Sequence, residues 1–376
     1  MLIIRLGALG DVVRTLPAAA ALRQVYPGAH LAWLVEPAAA GVVDAAGIVD
    51  ETLVFPRRDL MESLRDGDAQ AAASQLWAFS RKLRARHFEV VLDFHGILKS
   101  GLLARLTGAP LRIGYGPGIS KEGAALFVNR RVSLPNPHVS RFDRNAALVR
   151  ALAPDVPIPT EPLLVTSPLA AARLAARLRV TGQEPSRGFA LIHVGSSTGA
   201  AYKRYSPSEW SRTVDCLVAA EIEVWIVAGP NRAERRLAES VQRLSQGAAI
   251  LAPETRSFDD LLALIDRAAV FVSCDSGPLH AASLSGTPVV QLLGPTDPVH
   301  NQPWTETASE RVHVPQPCSP CRRGCAEARC MRAIEPLEVA DKVRALIAAQ
   351  AGMGEAESML DAENEEATLS APSEVL

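Results

Sequence analysis

Short apolar runs alternate with longer segments of helical period along most of the chain. Residues 2–6 read as a strand, residues 18–26 as a helix, and residues 30–35 and 90–94 as further strands of the buried kind. The pattern then restarts. Residues 189–194, 223–228, 248–251, 270–273 and 288–292 are five more candidate strands, each followed by a helical or loop segment. Ser257 is placed to cap a helix over residues 259–268, with Asp260 as its acidic partner three positions on. Strands alternating with helices predict an α/β fold in which parallel sheets carry helices on both faces.

Five prolines between residues 154 and 168 mark a linker between two such halves. The chain therefore divides into residues 1–165, residues 166–350 and a tail, residues 351–376. The last 25 residues hold seven acids, no Lys or Arg and few large apolar side chains, so the tail is expected to be disordered. Two doubly wound domains leave a cleft between the C-terminal ends of their strands, where ligands of such sheets bind.

A length of 376 residues suits two cores better than one. Hydrophobic residues make up 48% and charged residues 21%, the balance of a globular protein, and the net charge of −2 gives no reason to expect a nucleic-acid partner. No apolar run reaches the ~20 residues needed to span a bilayer. The N-terminus meets Gly7, Gly10 and Asp11 at once and reads as a first strand, not a secretion signal, so a cytoplasmic protein is expected.

Three loops could carry chemistry. Gly7-Ala8-Leu9-Gly10-Asp11 follows the first strand: the glycines permit a tight turn and close approach, and a carboxylate stands at the mouth of the cleft. The bland alternative is that Asp11 only caps a helix. His193-Val194-Gly195-Ser196-Ser197-Thr198, with Lys203 beyond, offers hydroxyls and an ammonium to an anion such as a diphosphate, or is simply a solvated polar loop. Ser273-Cys274-Asp275-Ser276-Gly277-Pro278-Leu279-His280 delivers a strand to a helix N-terminus, whose free N–H groups suit phosphate. There Asp275 could instead be an N-cap, and His280 a core histidine. Two anion-suited loops in one half point together to a nucleotide diphosphate.

These segments resemble the heptosyltransferases of glycosyltransferase family 9. The resemblance rests on residues 5–13 with Thr15-Leu16-Pro17, on Asp93-Phe94-His95-Gly96-Ile97-Leu98-Lys99-Ser100, and on residues 271–280, Gly286-Thr287-Pro288 and Leu293-Gly294-Pro295-Thr296-Asp297-Pro298. It extends from about residue 1 to residue 349. It implies a GT-B fold, with the acceptor on the first domain and ADP-heptose on the second, and an inverting transfer that needs no metal. By the same resemblance Asp11 is the general base and Lys203 steadies the departing diphosphate. Ser196 and Ser197 contact phosphate, Glu234 holds the ribose, and Asp275, Ser276, Gly277 and His280 surround the diphosphate and heptose. The acceptor side is assigned to Gly10, His95, Lys99 and Lys121.

The implied acceptor is an anionic glycolipid of the lipopolysaccharide inner core, met by a monomeric enzyme at the cytoplasmic face of the inner membrane. Arg81, Lys82, Arg84 and Arg86 offer cations for it, although a solvated helix face is the favoured reading of that run. Four of the six cysteines, Cys318, Cys321, Cys325 and Cys330, have a spacing that could hold zinc or an iron–sulfur cluster; a structural role without metal is favoured. Two other functions fit the donor-side motifs: transfer from another nucleotide sugar or to another glycan or protein, and sugar-nucleotide binding without transfer. An intact Asp11 and Lys203 weigh against the latter.

Overall fold

The computed structural model describes residues 1–369 apart from Arg187, Ser197, Arg322, Arg323 and Ala326. Among the described residues, twelve strands form two six-stranded sheets, all of whose pairings are parallel.

The first sheet contains β1 (Leu2–Ile4), β2 (Ala32–Val35), β3 (Glu51–Val54), β4 (Val90–Asp93), β5 (Leu111–Tyr115) and β6 (Arg130–Val132), in the order β3-β2-β1-β4-β5-β6. Its helices are α1 (Leu9–Val13), α2 (Leu16–Val25), α3 (Pro37–Ala46), α4 (Arg57–Arg65), α5 (Ala69–Arg84), α6 (Leu98–Leu106) and α7 (Arg141–Arg150). Sequence patterning misses β3, β5 and β6. β3 and β6 are edge strands rich in polar residues and β5 carries Arg112 and Gly114, whereas β1, β2 and β4 are near-continuous apolar runs, because helices cover both faces at the sheet centre.

The second sheet repeats the arrangement. Strands β7 (Ala190–His193), β8 (Val224–Val227), β9 (Ile250–Leu251), β10 (Val270–Cys274), β11 (Val289–Leu293) and β12 (Ser309–His313) lie in the order β12-β11-β10-β7-β8-β9. The missed edge strand β12 buries only Val312 of its five residues. Its helices are α8 (Pro168–Thr181), α9 (Pro207–Ala219), α10 (Arg232–Leu244), α11 (Phe258–Ile265), α12 (Gly277–Leu284), α13 (Arg329–Arg332) and α14 (Pro336–Leu369). Ser257 caps α11 as expected, accepting from the Asp260 N–H at 3.1 Å. The Asp260 carboxylate, however, reaches the Arg256 N–H and not that of Ser257.

Helix α14 lays Val339, Ala340, Val343 and Leu346 into the second core. It continues to Leu369, where the sequence predicts a disordered tail. The segment is rich in Ala and Glu, and no proline interrupts it before Pro372, so helix propensity prevails over the lack of an apolar face. Residues 370–376 lie outside the described residues.

The two sheets are joined by more than the linker. An apolar cluster continuous across both includes Val12 and Val42 from one side, Leu262, Leu279 and Trp304 from the other. The linker itself is tied down: the Leu163 and Leu164 N–H groups both donate to the Leu284 carbonyl, at 2.9 and 3.2 Å.

Candidate active site

In each sheet the strand order reverses between the two central strands, β1 and β4 in one, β7 and β10 in the other. Loops leaving such a switch point diverge to opposite faces and open a crevice. The loops after β1, β7 and β10 meet there around one cavity of about 640 Å³ between the domains, within the range of small-molecule sites. Gly10, Asp11, Ser196, Lys203, Glu234, Asp275, Ser276, Gly277 and His280 all line it, so most of the residues singled out in sequence converge.

On the second-domain side, Ser276 is the N-cap of α12 and accepts from the Leu279 N–H at 3.3 Å, which leaves Asp275 for other contacts. Its carboxylate pairs with the Lys203 ammonium at 2.7 Å and lies 3.3 Å from His280 Nε2. Burial alone would raise the Asp275 carboxyl; the His280 contact and the Lys203 and Arg14 charges outweigh it and hold the group far below the usual range. His280 is pushed down to about 4 by burial and by Arg14, so it is neutral at pH 7.

Glu234 Oε1 receives His193 Nε2 and the Gly229 N–H, both at 2.8 Å. Burial opposes its ionisation, but the His193 hydrogen bond keeps the carboxyl below its ordinary value. The acid fits only because residue 195 is glycine: a Cβ there would overlap the Glu234 side chain. Ser196 takes a hydrogen bond from Arg204 Nε at 2.9 Å.

On the first-domain side Asp11 is not a cap. Arg5 pairs with it, Arg14 Nη2 donates to Oδ1 at 2.9 Å, and Arg141 lies at 3.3 Å. Burial would raise its carboxyl, yet the charges of Arg5, Arg141, Arg14 and Arg144 hold it well below the usual carboxylate range. Arg14, itself lowered to about 10 by burial and by Arg141, stays protonated and spans the cleft. Its Nη1 lies 3.1 Å from His280 Nε2 and 3.3 Å from Asn301 Oδ1, so a single guanidinium joins Asp11 to the second domain.

Gly10 serves this approach. A Cβ on it would stand 3.1 Å from the Gly277 Cα, which means that α1 and α12 meet backbone to backbone.

Other expected residues lie outside the cavity. His95 accepts from the Leu6 N–H through Nδ1, and burial with Arg5 pushes it down to about 3. Lys99 is occupied by Glu36 at 2.5 Å and by the Phe55 ring, so its charge is matched within the first domain. Lys121 is exposed on a separate loop, and Ser197 lies outside the described residues.

Among the described residues, no three of the four clustered cysteine sulfurs approach within 4.8 Å of one another. Cys330 instead belongs to the second apolar core, where burial raises its thiol. Sequence reasoning quoted Arg5 and His193 within motifs without giving either a role, and it missed Arg14 and Arg141. Arg14 was findable, since it falls one helical turn after Asp11; Arg141 comes from a distant helix, and no local signal marks it.

A family model, glycosyltransferase family 9 (heptosyltransferase), matches residues 76–331. The chain belongs to this family and is a glycosyltransferase of GT-B fold. It is 26% identical over 305 residues to the lipopolysaccharide core heptosyltransferase OpsX of Haemophilus influenzae, covering 80% of this chain and 81% of that one. It is 24% identical over 327 residues to lipopolysaccharide heptosyltransferase 1 of Pseudomonas aeruginosa, covering 85% of each. The solved structure of the Escherichia coli heptosyltransferase WaaC with ADP superposes with a TM-score of 0.69 at 20% identity, covering 92% of this chain and 99% of that one.

Proposed function

We propose that the protein transfers heptose from ADP-heptose, with inversion, to the inner core of lipopolysaccharide, on a Kdo-lipid A or heptosyl-Kdo-lipid A acceptor. The observation that carries this reading is a single cavity with Asp11 on one wall and Lys203 and the α12 N-terminus on the other. The names of the curated relatives supply the sugar and the acceptor class.

In this mechanism the donor diphosphate lies against the N–H groups opening α12 and against Lys203. Glu234, lining the same cavity, takes the ribose. The acceptor hydroxyl attacks the anomeric carbon, the bond to the diphosphate oxygen breaks, and the electron pair leaves with ADP. An ammonium and a helix N-terminus stabilise the charge that develops there. The hydroxyl proton passes to Asp11. So strongly held a carboxylate is a weak base and takes the proton only as the new bond forms. The charges of Lys203 and α12 give the leaving group what a metal would otherwise supply, so no metal is needed for that step.

With a membrane lipid as the proposed acceptor, the enzyme works at the cytoplasmic face of the inner membrane, and we take it to act as a monomer. Among the described residues no helix is long and apolar enough to cross a membrane, and peripheral attachment fits that. The test is ADP release from ADP-heptose with lipopolysaccharide lacking all heptose, in parallel with lipopolysaccharide carrying one heptose. Turnover with one acceptor only supports the reading and fixes the step. Asp11→Ala should remove turnover while ADP still binds. Near wild-type turnover in that variant would take Asp11 out of the mechanism, and no ADP binding by the parent protein would overturn the donor site.

A further inference from the structure

One cluster of ligand-type side chains lies outside the cavity and takes no part in the transfer as described. His138, in the loop between β6 and α7, reaches across to Asp297 and His300, in the loop after β11. His138 Nε2 stands 3.0 Å from Asp297 Oδ2, and His300 Nδ1 stands 3.6 Å from Asp297 Oδ1. The two imidazoles meet edge to face at 5.1 Å. One ligand atom from each of the three residues lies within 4.8 Å of the other two. A tetrahedral ion with bonds of about 2.0–2.1 Å sets its ligand atoms about 3.4 Å apart; His138 Nε2 and Asp297 Oδ2 lie close to that edge at 3.0 Å, and His300 has only to draw in to complete the set.

The surroundings fix the ligands as a metal site does. Asp297 Oδ1 accepts the Val299 and His300 N–H groups at 2.9 and 2.8 Å, which locks the carboxylate and leaves Oδ2 turned to His138. His300 Nε2 lies 3.4 Å from the Pro137 carbonyl. With the proton on Nε2, the Nδ1 lone pair is free to bind a cation, and the carbonyl orients the ring from behind. Two imidazoles and a carboxylate are donors of the kind that zinc and its neighbours take.

We propose that His138, Asp297 and His300 form a site for a divalent transition metal of the zinc class, which staples the two domains together beside the cleft. The ion takes His138 Nε2, His300 Nδ1 and Asp297 Oδ2, with its fourth position open to water. The consequence reaches the cleft through Asn301. Its Nδ2 donates to the Asp297 carbonyl at 2.8 Å, and its Oδ1 accepts from Arg141 and Arg14 at 2.8 and 3.3 Å. Those are two of the guanidiniums that hold Asp11. A bound ion thus fixes the loop that positions them. The inference is independent of which sugar or acceptor the enzyme uses.

Cobalt(II) and zinc titrations of the chelator-treated full chain test it, because the cobalt spectrum separates nitrogen and oxygen ligands from thiolates. The expected result is one equivalent bound in the micromolar range, a tetrahedral cobalt band without thiolate charge transfer, and a raised unfolding midpoint. His138→Ala and His300→Ala should each weaken binding by at least about tenfold. Both side chains are substantially exposed, at 57% and 39%, so the variants should fold. Binding should survive alkylation of the accessible cysteines. Unchanged affinity in the double His variant, loss of binding on alkylation, or only millimolar affinity would each overturn the site.

Discussion

At the scale of single residues, Asp11 is defined by its company. A carboxylate after the first strand is visible in the sequence, but its setting among Arg5, Arg14, Arg141 and Arg144 is not, because those side chains come from just past β1, from the end of α1 and from the distant helix α7. The setting decides the chemistry. With its carboxyl held well below the usual range, Asp11 is ionised at neutral pH, and the acid limb it gives to the rate should lie at lower pH than that of a free carboxylate. Arg141 is the most accessible of the three that contact it, 32% exposed against 6% for Arg5 and Arg14. Arg141→Ala removes one positive charge, which raises the Asp11 pKa, and protonated Asp11 cannot accept the acceptor's proton. The acid limb of kcat/KM should therefore move to higher pH than in the parent enzyme. A pH–rate series on both proteins checks this, and an unmoved limb in a folded variant would contradict the role of Asp11 as base. By contrast Asp275 was legible, directly after the apolar run of β10, and Lys203 followed from the hydroxyl-rich loop after β7, whereas Glu234, in the first turn of α10, was reached only through the family resemblance.

At the scale of elements, the two glycines of the first and third motifs do a job that neither motif reveals alone. Gly10 opens the first-domain helix α1 and Gly277 the second-domain helix α12, and the two meet across the cleft. Each motif reads locally as a turn or a phosphate loop; that they are partners follows only from the way the sheets face each other. A Cβ on residue 10 would lie 3.1 Å from the Gly277 Cα and 3.4 Å from His280 Cδ2. Because the nearer neighbour is backbone, it cannot swing aside, and α1 must move from α12 by a few tenths of an ångström. That shift separates Asp11 from the donor side, and small misplacements of reacting groups are costly in rate. Gly10→Ala should lower turnover by about tenfold or more, with a smaller loss of affinity for ADP, since Lys203 and Glu234 are not among the atoms the new Cβ would meet. Steady-state kinetics with a parallel ADP titration would show it; parent-like turnover would mean that the spacing of the two helices does not limit transfer. The central strands were legible for the opposite reason. Buried on both faces, β1, β7, β10 and β11 are nearly pure apolar runs, whereas edge strands such as β6 and β12 mix exposed Arg, Ser and Glu and carry no such signature.

At the scale of the whole molecule, the net charge of −2 conceals an uneven surface. The α4–α5 hairpin of the first domain exposes Met61, Leu64, Leu76 and Trp77, the last at 62%. Among them stand Arg65, Arg81, Lys82 and Arg84, all on the outside of the fold, while Arg58 is paired with Glu62 and the acids Asp59, Asp66 and Asp68 gather towards α4 and the turn. The Arg81 guanidinium lies 4.9 Å from the centre of the Trp77 ring. Arg81, Lys82 and Arg84 lie on the solvated helix face favoured for the arginine run, while Arg86, past the end of α5, pairs with Glu51. The hairpin as a whole adds an aromatic and three other apolar side chains that the charge count alone does not disclose. An indole flanked by cations is suited to an anionic bilayer surface, where the ring seats at the headgroup level and each cation contributes about 1 kcal/mol. The lipid acceptor proposed above gives a reason for such a face on the first domain. The protein is expected to sediment with vesicles containing phosphatidylglycerol, to leave purely zwitterionic vesicles, and to release as salt rises. Lys82→Glu reverses one charge, a change of about 2 kcal/mol, and should weaken vesicle binding by roughly thirtyfold. Trp77→Ser should weaken it independently of salt. Neither change touches the cavity, so turnover on a water-soluble, deacylated acceptor should stay at the parent level while turnover on vesicle-embedded acceptor falls. If both variants partition onto anionic vesicles as the parent does, this hairpin is not the membrane-facing surface, and the acceptor must be reached from another side of the first domain.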